Sequence, residues 1–301
     1  MKSTSITLAA IGGALLAVPL HAQTPPWFLP HNQVAPTVTA AVSLEPTGDF
    51  RYRYTVANGA GAQQRINMFF LELPVPASSA ASPTDWYAIL GSKSISWGSE
   101  GTVDPSWAPA HEADIASFLS EINPGASLTG FDLLSPCGGS STPLTYYVQG
   151  YNHLGKQPDD DTTWVQEPEW RADAVTGTVL GPSDCSTVAD WGNRRPGVDG
   201  FLGVVNFVNG ATLPAGPASV QIRFSRDGEV VNRATFSAVL NSVDVTSQFV
   251  QNSRDDLVAI FVPGSSAAHS GKNVLLLKVN GLKPGTTQTA TDADRFTFTL
   301  P

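Results

Sequence analysis

The stretch from Ser219 to Phe249 limits the architecture of this chain more than any other. In SVQIRF, Val220, Ile222 and Phe224 fall on one side, and Gln221 and Arg223 fall on the other. A period of two is the pattern of a half-buried β-strand, whereas a helix spreads such a run around its whole circumference. Asp227-Gly228 then supplies residues that tolerate positive φ, the usual chemistry of a tight turn. A second extended run returns through Val230 and Val231 to Thr235, Phe236, Ala238 and Leu240. The segment therefore reads as an antiparallel hairpin. Its dry face is apolar, and its wet face carries Gln221, Arg223, Ser225 and Glu229. No catalytic group falls in it.

Composition extends that reading to the whole chain. Only 14% of the 301 residues are charged, and 27 Gly and 23 Pro are present. Soluble domains average roughly 25% charged residues, so the balance suits an all-β exported protein rich in turns. The net charge of −9 excludes a nucleic-acid partner, whose phosphates require clustered Lys and Arg.

The N-terminus and the cysteines indicate the compartment. Met1-Lys2 is a short positive region, Ile6 to Leu20 is apolar, and Pro19 and Ala22 mark a cleavage point before Gln23. This is the pattern of a signal peptide over residues 1–22. The apolar span falls short of the ~20 residues that a membrane-spanning helix needs, and no later segment is long and apolar enough to cross a bilayer. The expected location is extracellular or periplasmic. Cys137 and Cys185 are the only cysteines, and an even pair in an exported chain reads as a disulfide. In the chain-entropy model, closing that loop stabilises the fold by about 4 kcal/mol. The spacing is not the C-x-x-C of a redox pair, and two cysteines with no histidine nearby do not make a structural zinc site.

Residues 23–38 form a Pro-rich lead-in. Strand signals then recur through Phe50–Val56, Arg65–Leu73, Leu128–Ser135, Leu144–Tyr151 and Val175–Leu180. His111–Ile122 reads as the one short helix, with Ile115, Phe118, Leu119 and Ile122 at helical spacing behind an acidic first turn. These elements define a disulfide-linked β-sandwich domain over residues 39–190 and a linker over 191–198. A second domain over 199–301 contains further strands at Val204–Phe207, Asp256–Val262, Asn273–Val279 and Arg295–Leu300. Short strands at turn-bounded intervals over about 100 residues are the immunoglobulin-like signature. The antibody Cys…Trp…Cys spacing is missing, and the halves are not detectable repeats of each other.

The first half carries YRYTV with the Asn58-Gly59 turn, INMFFLELP, a Trp-centred loop, INPGASLTGFDLLSP and TYYVQGY. The second half carries TFSAVLNSVDVT, GKNVLLLKVNG and TDADRFTF. In this order the chain resembles bacterial secreted immunoglobulin-like β-sandwich modules over most of residues 40–301. The resemblance implies two β-sandwich domains in a group with adhesive, carbohydrate-binding and uncharacterised members. It offers no catalytic motif for transfer.

Motifs with chemical content are few. His111-Glu112 begins like the zinc-protease H-E-x-x-H, but Ile115 stands where the second His belongs. There is no G-x-S-x-G, and His31, His111, His153 and His269 are scattered. Glu167 and Glu169, flanked by Trp164 and Trp170, form the most suggestive carboxylate pair for glycoside hydrolysis, although Pro168 and the loop around them fit a solvated role better. Asp159, Asp160 and Asp161, and separately Asp292 and Asp294, are weak calcium candidates, since calcium takes six to eight oxygen ligands. No other cofactor is signalled. Trp86, Trp97, Trp107, Trp164 and Trp170 are candidate ligand-binding residues, because exposed aromatic faces stack on sugars and anchor protein surfaces. The expectation is a non-catalytic exported protein of structural, adhesive or ligand-binding type with a glycan or protein-surface partner. The alternatives are a carbohydrate-binding module and a hydrolase with an unrecognised site. Nothing in the sequence fixes the oligomeric state.

Overall fold

The computed structural model describes residues 32–99, 120–139, 143–150, 170–192, 200–225, 230–282 and 285–301. The signal peptide, most of the helix expected at His111–Ile122, His31, His153, Trp107, Trp164, Glu167, Glu169 and Asp159–Asp161 lie outside them. So do the side chain of Trp170, the Asp227-Gly228 turn and Glu229.

The first half contains β1 (Pro36–Leu44), β2 (Phe50–Asn58), β3 (Ile66–Glu72), β4 (Ser79–Ala81), β5 (Trp86–Leu90), β6 (Ser94–Ser99), β7 (Ser127–Ser135), β8 (Leu144–Gly150), α1 (Trp170–Asp173) and β9 (Val175–Val179). One sheet has the order β1-β2-β7-β4 and the other β5-β6-β3-β8-β9. On β2 the alternation holds: Phe50, Tyr52, Tyr54 and Val56 are buried, while Arg51 and Arg53 face outward and clamp Asp132 on β7. β3 is central between β6 and β8, as its apolar run requires. The core between the sheets is aromatic, with Phe69, Trp97, Tyr54, Phe131 and Tyr146 packed together. Among the described residues of this half the α-helix is α1; of the helix expected at His111–Ile122 only the last residues are described, and there Ile122 pairs with Ile66 as an isolated β-bridge.

The second half contains β10 (Leu202–Val204), β11 (Ala211–Thr212), β12 (Ala218–Phe224), β13 (Val230–Leu240), β14 (Val243–Asp244), β15 (Val250–Gln251), β16 (Leu257–Phe261), β17 (Gly271–Leu282) and β18 (Thr289–Leu300). Its sheets have the orders β10-β12-β16-β15 and β11-β18-β17-β13-β14. The first order reproduces the A-B-E-D sheet of the immunoglobulin sandwich, and β13, β17 and β18 occupy the C, F and G places in the other. β11 runs parallel to β18. Phe201, Val220, Ile222, Leu275, Leu277, Phe296 and Phe298 fill the space between the sheets.

The expected hairpin is not formed. β12 pairs with β10 and β16, whereas β13 pairs with β17 and β14 in the opposite sheet. The chain crosses the sandwich between these strands, because each has an apolar face to bury against the other. The two halves also share a core order that their sequences conceal. β1-β2-β7 and β3-β8-β9 in the first correspond to β10-β12-β16 and β13-β17-β18 in the second.

Candidate functional site: the junction between the sandwiches

The face of β12 expected to meet water is buried. Gln221 is 0% exposed, Ser219 and Ser225 are each 5% exposed, and only Arg223 is partly open. The neighbouring strand sets Val258 opposite Gln221 and Ile260 opposite Ser219. Val258 and Ile260 pack into the core cluster of the first sandwich. The outer face of the β10-β12-β16-β15 sheet is therefore an interface with the other domain.

The opposing surface is built around the disulfide. β7 ends at Ser135, and Cys137 follows, joined to Cys185 with 5.5 Å between their Cα atoms. Both cysteines are fully buried and pack with Val75, Val188 and Val205. The Tyr52 hydroxyl donates to the carbonyl of Cys137 at 2.8 Å, which ties the loop to the first core.

Polar side chains of the second domain then satisfy the backbone of that loop. The N–H of Gly138 donates to Gln221 Oε1 (2.8 Å), and the N–H of Gly139 donates to Ser219 Oγ (2.6 Å). Asn206 Nδ2 reaches the carbonyl of Gly139 (3.1 Å), and Asn252 Nδ2 reaches that of Pro136 (2.7 Å). Asp256 is fully buried, and it accepts from Gln221 Nε2 (2.7 Å) and from Arg223 Nε (2.8 Å) and Nη2 (2.7 Å). The same guanidinium donates to the carbonyls of Cys185 (2.9 Å) and Ser186 (3.2 Å). At the far edge, Ser253 donates through its N–H and hydroxyl to Asp49 Oδ1. Buried polar groups are tolerated only when paired; here the backbone groups of the first domain's loop find partners in the second domain, while Asp256 is paired within its own.

Gly48 permits the close approach at this edge. Its φ is +80°, and a Cβ there would lie 2.2 Å from the carbonyl oxygen of Gln251. A described crevice at the seam, lined by Gly139, Leu180, Leu213, Pro214, Pro217, Ala218 and Ser219, measures about 10 Å³. That is room for about one water, not for a substrate.

The candidate residues fall elsewhere. Trp86 and Trp97 are interior, at 4% and 0% exposure. Trp97 stacks on Phe69 at 5.0 Å between centroids and donates to the carbonyl of Ala81, while Trp86 meets Phe131 edge-on and donates to Ser120. Their ring faces are covered by core side chains, so neither offers a platform for a sugar. Asp292 and Asp294 lie inside β18 rather than before it, on the inward row with Phe296 and Phe298. Asp292 accepts from the N–H groups of Phe201 (2.7 Å) and Leu202 (3.2 Å) and so fixes the start of the second domain. Among the described residues, no three His, Cys, Asp or Glu side chains come together as a metal site.

Two of the carboxylates with shifted titration lie in the first sandwich away from the junction. Asp132 is held below the usual carboxylate range by its hydrogen bonds to Arg53 and Arg51. Glu121 is raised to about 7 because burial disfavours its charge. Its side chain is 1% exposed, neither oxygen has a hydrogen-bond partner among the described residues, and the Arg65 guanidinium lies 3.8 Å away.

Fold and junction together define a two-domain immunoglobulin-like β-sandwich protein. No protein-family model matches the chain, and no curated protein is similar to it. Among solved structures, an uncharacterised protein from Nocardia farcinica with an immunoglobulin-like fold is 16% identical over 47% of this chain and 96% of its own, with a TM-score of 0.26. A putative membrane-anchored protein from Corynebacterium diphtheriae is 8% identical over 90% of this chain, with a TM-score of 0.19; the match spans 58% of that protein. Superpositions this loose add nothing to the assignment, which stands on the strand order.

Proposed function

We propose that this protein is exported and serves as a non-catalytic structural module, its two sandwiches acting as one rigid unit that holds a surface at a fixed distance and angle. The observation that carries this reading is the junction, where the polar face of β12 is spent on the backbone around Cys137 and Cys185. Tethered domains that move independently share small, wet contacts. A buried network of hydrogen bonds that cross from one domain to the other fixes one orientation instead. The disulfide supports a location outside the cytoplasm, since such bonds persist in oxidising compartments.

Residual dipolar couplings measured on residues 23–301 test the proposal directly. A rigid unit yields one alignment tensor that fits the amides of both domains. Two tensors of different magnitude or orientation defeat it. Adhesion or sugar binding, if it is the purpose of that rigidity, falls to surfaces other than Trp86 and Trp97. A glycan array run with Trp107→Ala, Trp164→Ala and Trp170→Ala variants examines the remaining tryptophans.

A further inference from the structure

We infer that the Cys137–Cys185 bond is a redox-controlled clasp between the two sandwiches, which holds their angle while it is a disulfide and frees it when both sulfurs are thiols. The inference rests on the rigid-unit reading proposed above. The chain crosses from one sandwich to the other just after β9. Ser183 N–H still donates to the carbonyl of Gly138 in the first domain (2.8 Å), and Pro182 pairs with Gly139. By Ala189 and Asp190 the backbone is bound to β10 of the second domain, each N–H donating to the carbonyl of Val204 at 3.0 Å. Cys185 therefore lies on the crossing itself. Cys137 follows β7 and is tied to the first core through Tyr52, so the bond pins the crossing to the end of a first-domain strand.

The crossing also carries the acceptors that Arg223 uses. The carbonyls of Cys185 and Ser186 lie 2.9 and 3.2 Å from its guanidinium nitrogens. Ser186 N–H donates to Asp184 Oδ1 (3.0 Å), within the crossing, so the disulfide is what sets these carbonyls against the first domain. Two thiols cannot stand as close as two bonded sulfurs, and a close-packed interior resists the expansion they need. Reduction at this fully buried point therefore moves Cys185 away from Cys137 and turns residues 184–188 into a hinge. Gly138 and Gly139, next to Cys137, shift with it and weaken their bonds to Gln221 and Ser219. Both cores stay whole, because the cysteines form a separate cluster with Val75, Val188 and Val205. The apolar contact of Val258 and Ile260 with the first core remains, but such attraction is non-directional and fixes no angle.

A dithiol is the class of reductant that works the clasp. Its thiolate attacks one sulfur, and its second thiol resolves the mixed disulfide. Two electrons and two protons pass to Cys137 and Cys185 as the reductant closes into its own disulfide. Both cysteines are fully buried and packed against Val205 of the second domain, so the reductant reaches them when the sandwiches part. Docking and disulfide thus protect each other.

Residual dipolar couplings on residues 23–301 separate this inference from the reading beneath it. With the disulfide formed, one alignment tensor should fit both domains. In the variant combining Cys137→Ser with Cys185→Ser, the domains should need different tensors while the far-ultraviolet circular dichroism is unchanged. One tensor in both forms overturns the clasp and leaves the rigid unit standing. Two tensors in the disulfide form defeat the rigid unit, and the clasp with it. Reduction of the native chain by dithiothreitol, read by alkylation of the released thiols, does not need the Ser variant to fold. Gln221→Leu, which weakens docking, should speed reduction about tenfold or more. Leu277→Ala, which weakens the second core away from the junction, should leave the rate unchanged. Equal acceleration by both variants overturns the inference, because the bond is then reached by unfolding instead of undocking. No acceleration by Gln221→Leu overturns it as well.

Discussion

Replacing Gln221 by Leu tests whether the junction couples the domains. The side chain is fully buried, and both ends of its amide are engaged, with Gly138 N–H at 2.8 Å and Asp256 Oδ2 at 2.7 Å. Leucine keeps most of the volume and removes both bonds. Gly138 N–H is then buried without a partner, which costs about 1–3 kcal/mol, while Asp256 loses one donor and keeps Arg223, for about 1 kcal/mol more. The expected loss is about 2–4 kcal/mol. The chain supplies its own assay, since all 7 Trp and all 6 Tyr precede residue 200. Tryptophan fluorescence thus reports on the first domain, while the substitution lies in the second. Trp191 packs against Gly203 of β10, so the experiment is run in a Trp191→Phe background. If the junction makes the domains unfold together, the urea midpoint seen by tryptophan falls by about 1 M. If that midpoint stays in place while circular dichroism records a loss of the second domain, the junction does not couple the domains and the reasoning fails.

Glu121 makes stability depend on pH in an unusual direction. Its folded-state value of about 7 exceeds the ordinary 4.5, so its contribution is complete below about pH 4.5 and is lost as pH rises through 7. The loss is at most roughly 3 kcal/mol; Glu121→Gln should flatten this part of the stability–pH curve, and an unchanged curve refutes the assignment. Changing Cys137 and Cys185 together to Ser should lower stability by about 4 kcal/mol in calorimetry, and a loss under 1 kcal/mol contradicts the role given to the bond. Gly48→Ala and Gly210→Ala form a matched pair, with φ of +80° and +87°. Only Gly48 abuts another backbone, so its variant should lose about 2–4 kcal/mol in urea unfolding against about 1 for Gly210→Ala, and equal losses exclude a close approach at Gly48.

Strands were legible wherever one face met water and the other met a core. On β2, Tyr52, Tyr54 and Val56 alternate with charged or polar neighbours, and on β18 Phe296, Phe298 and Leu300 alternate with Arg295, Thr297 and Thr299. Partners were not legible. Period two and Asp-Gly fit a crossing between sheets as well as a hairpin, because pairing depends on residues far along the chain. Hence β13 meets β17 rather than β12. Trp86 and Trp97 were ambiguous for a related reason. An indole serves equally as core or as binding surface, and only the surrounding Phe69 and Phe131 decide between them.

The polar face of β12 holds the larger lesson, because a signal for its burial was present. A solvated strand face usually carries lysine or glutamate; β17, for instance, exposes Lys272 and Lys278. The face of β12 offers Ser219, Gln221 and Ser225 around one arginine. Amides and hydroxyls both donate and accept, so they can replace water at a foreign backbone without burying net charge. The one charge that is partly buried there, Arg223, finds Asp256 at 2.7 Å. A buried ion pair is weak evidence for stability, because desolvation offsets much of its attraction. It does penalise every orientation that separates the partners from their remaining hydrogen bonds. At this junction those bonds end on the carbonyls of Cys185 and Ser186. Tilting one sandwich away from the other therefore strips a largely buried guanidinium of its two carbonyl acceptors while Asp256 stays with it. The network's contribution on this argument is a fixed angle between the domains, gained at little net benefit to stability.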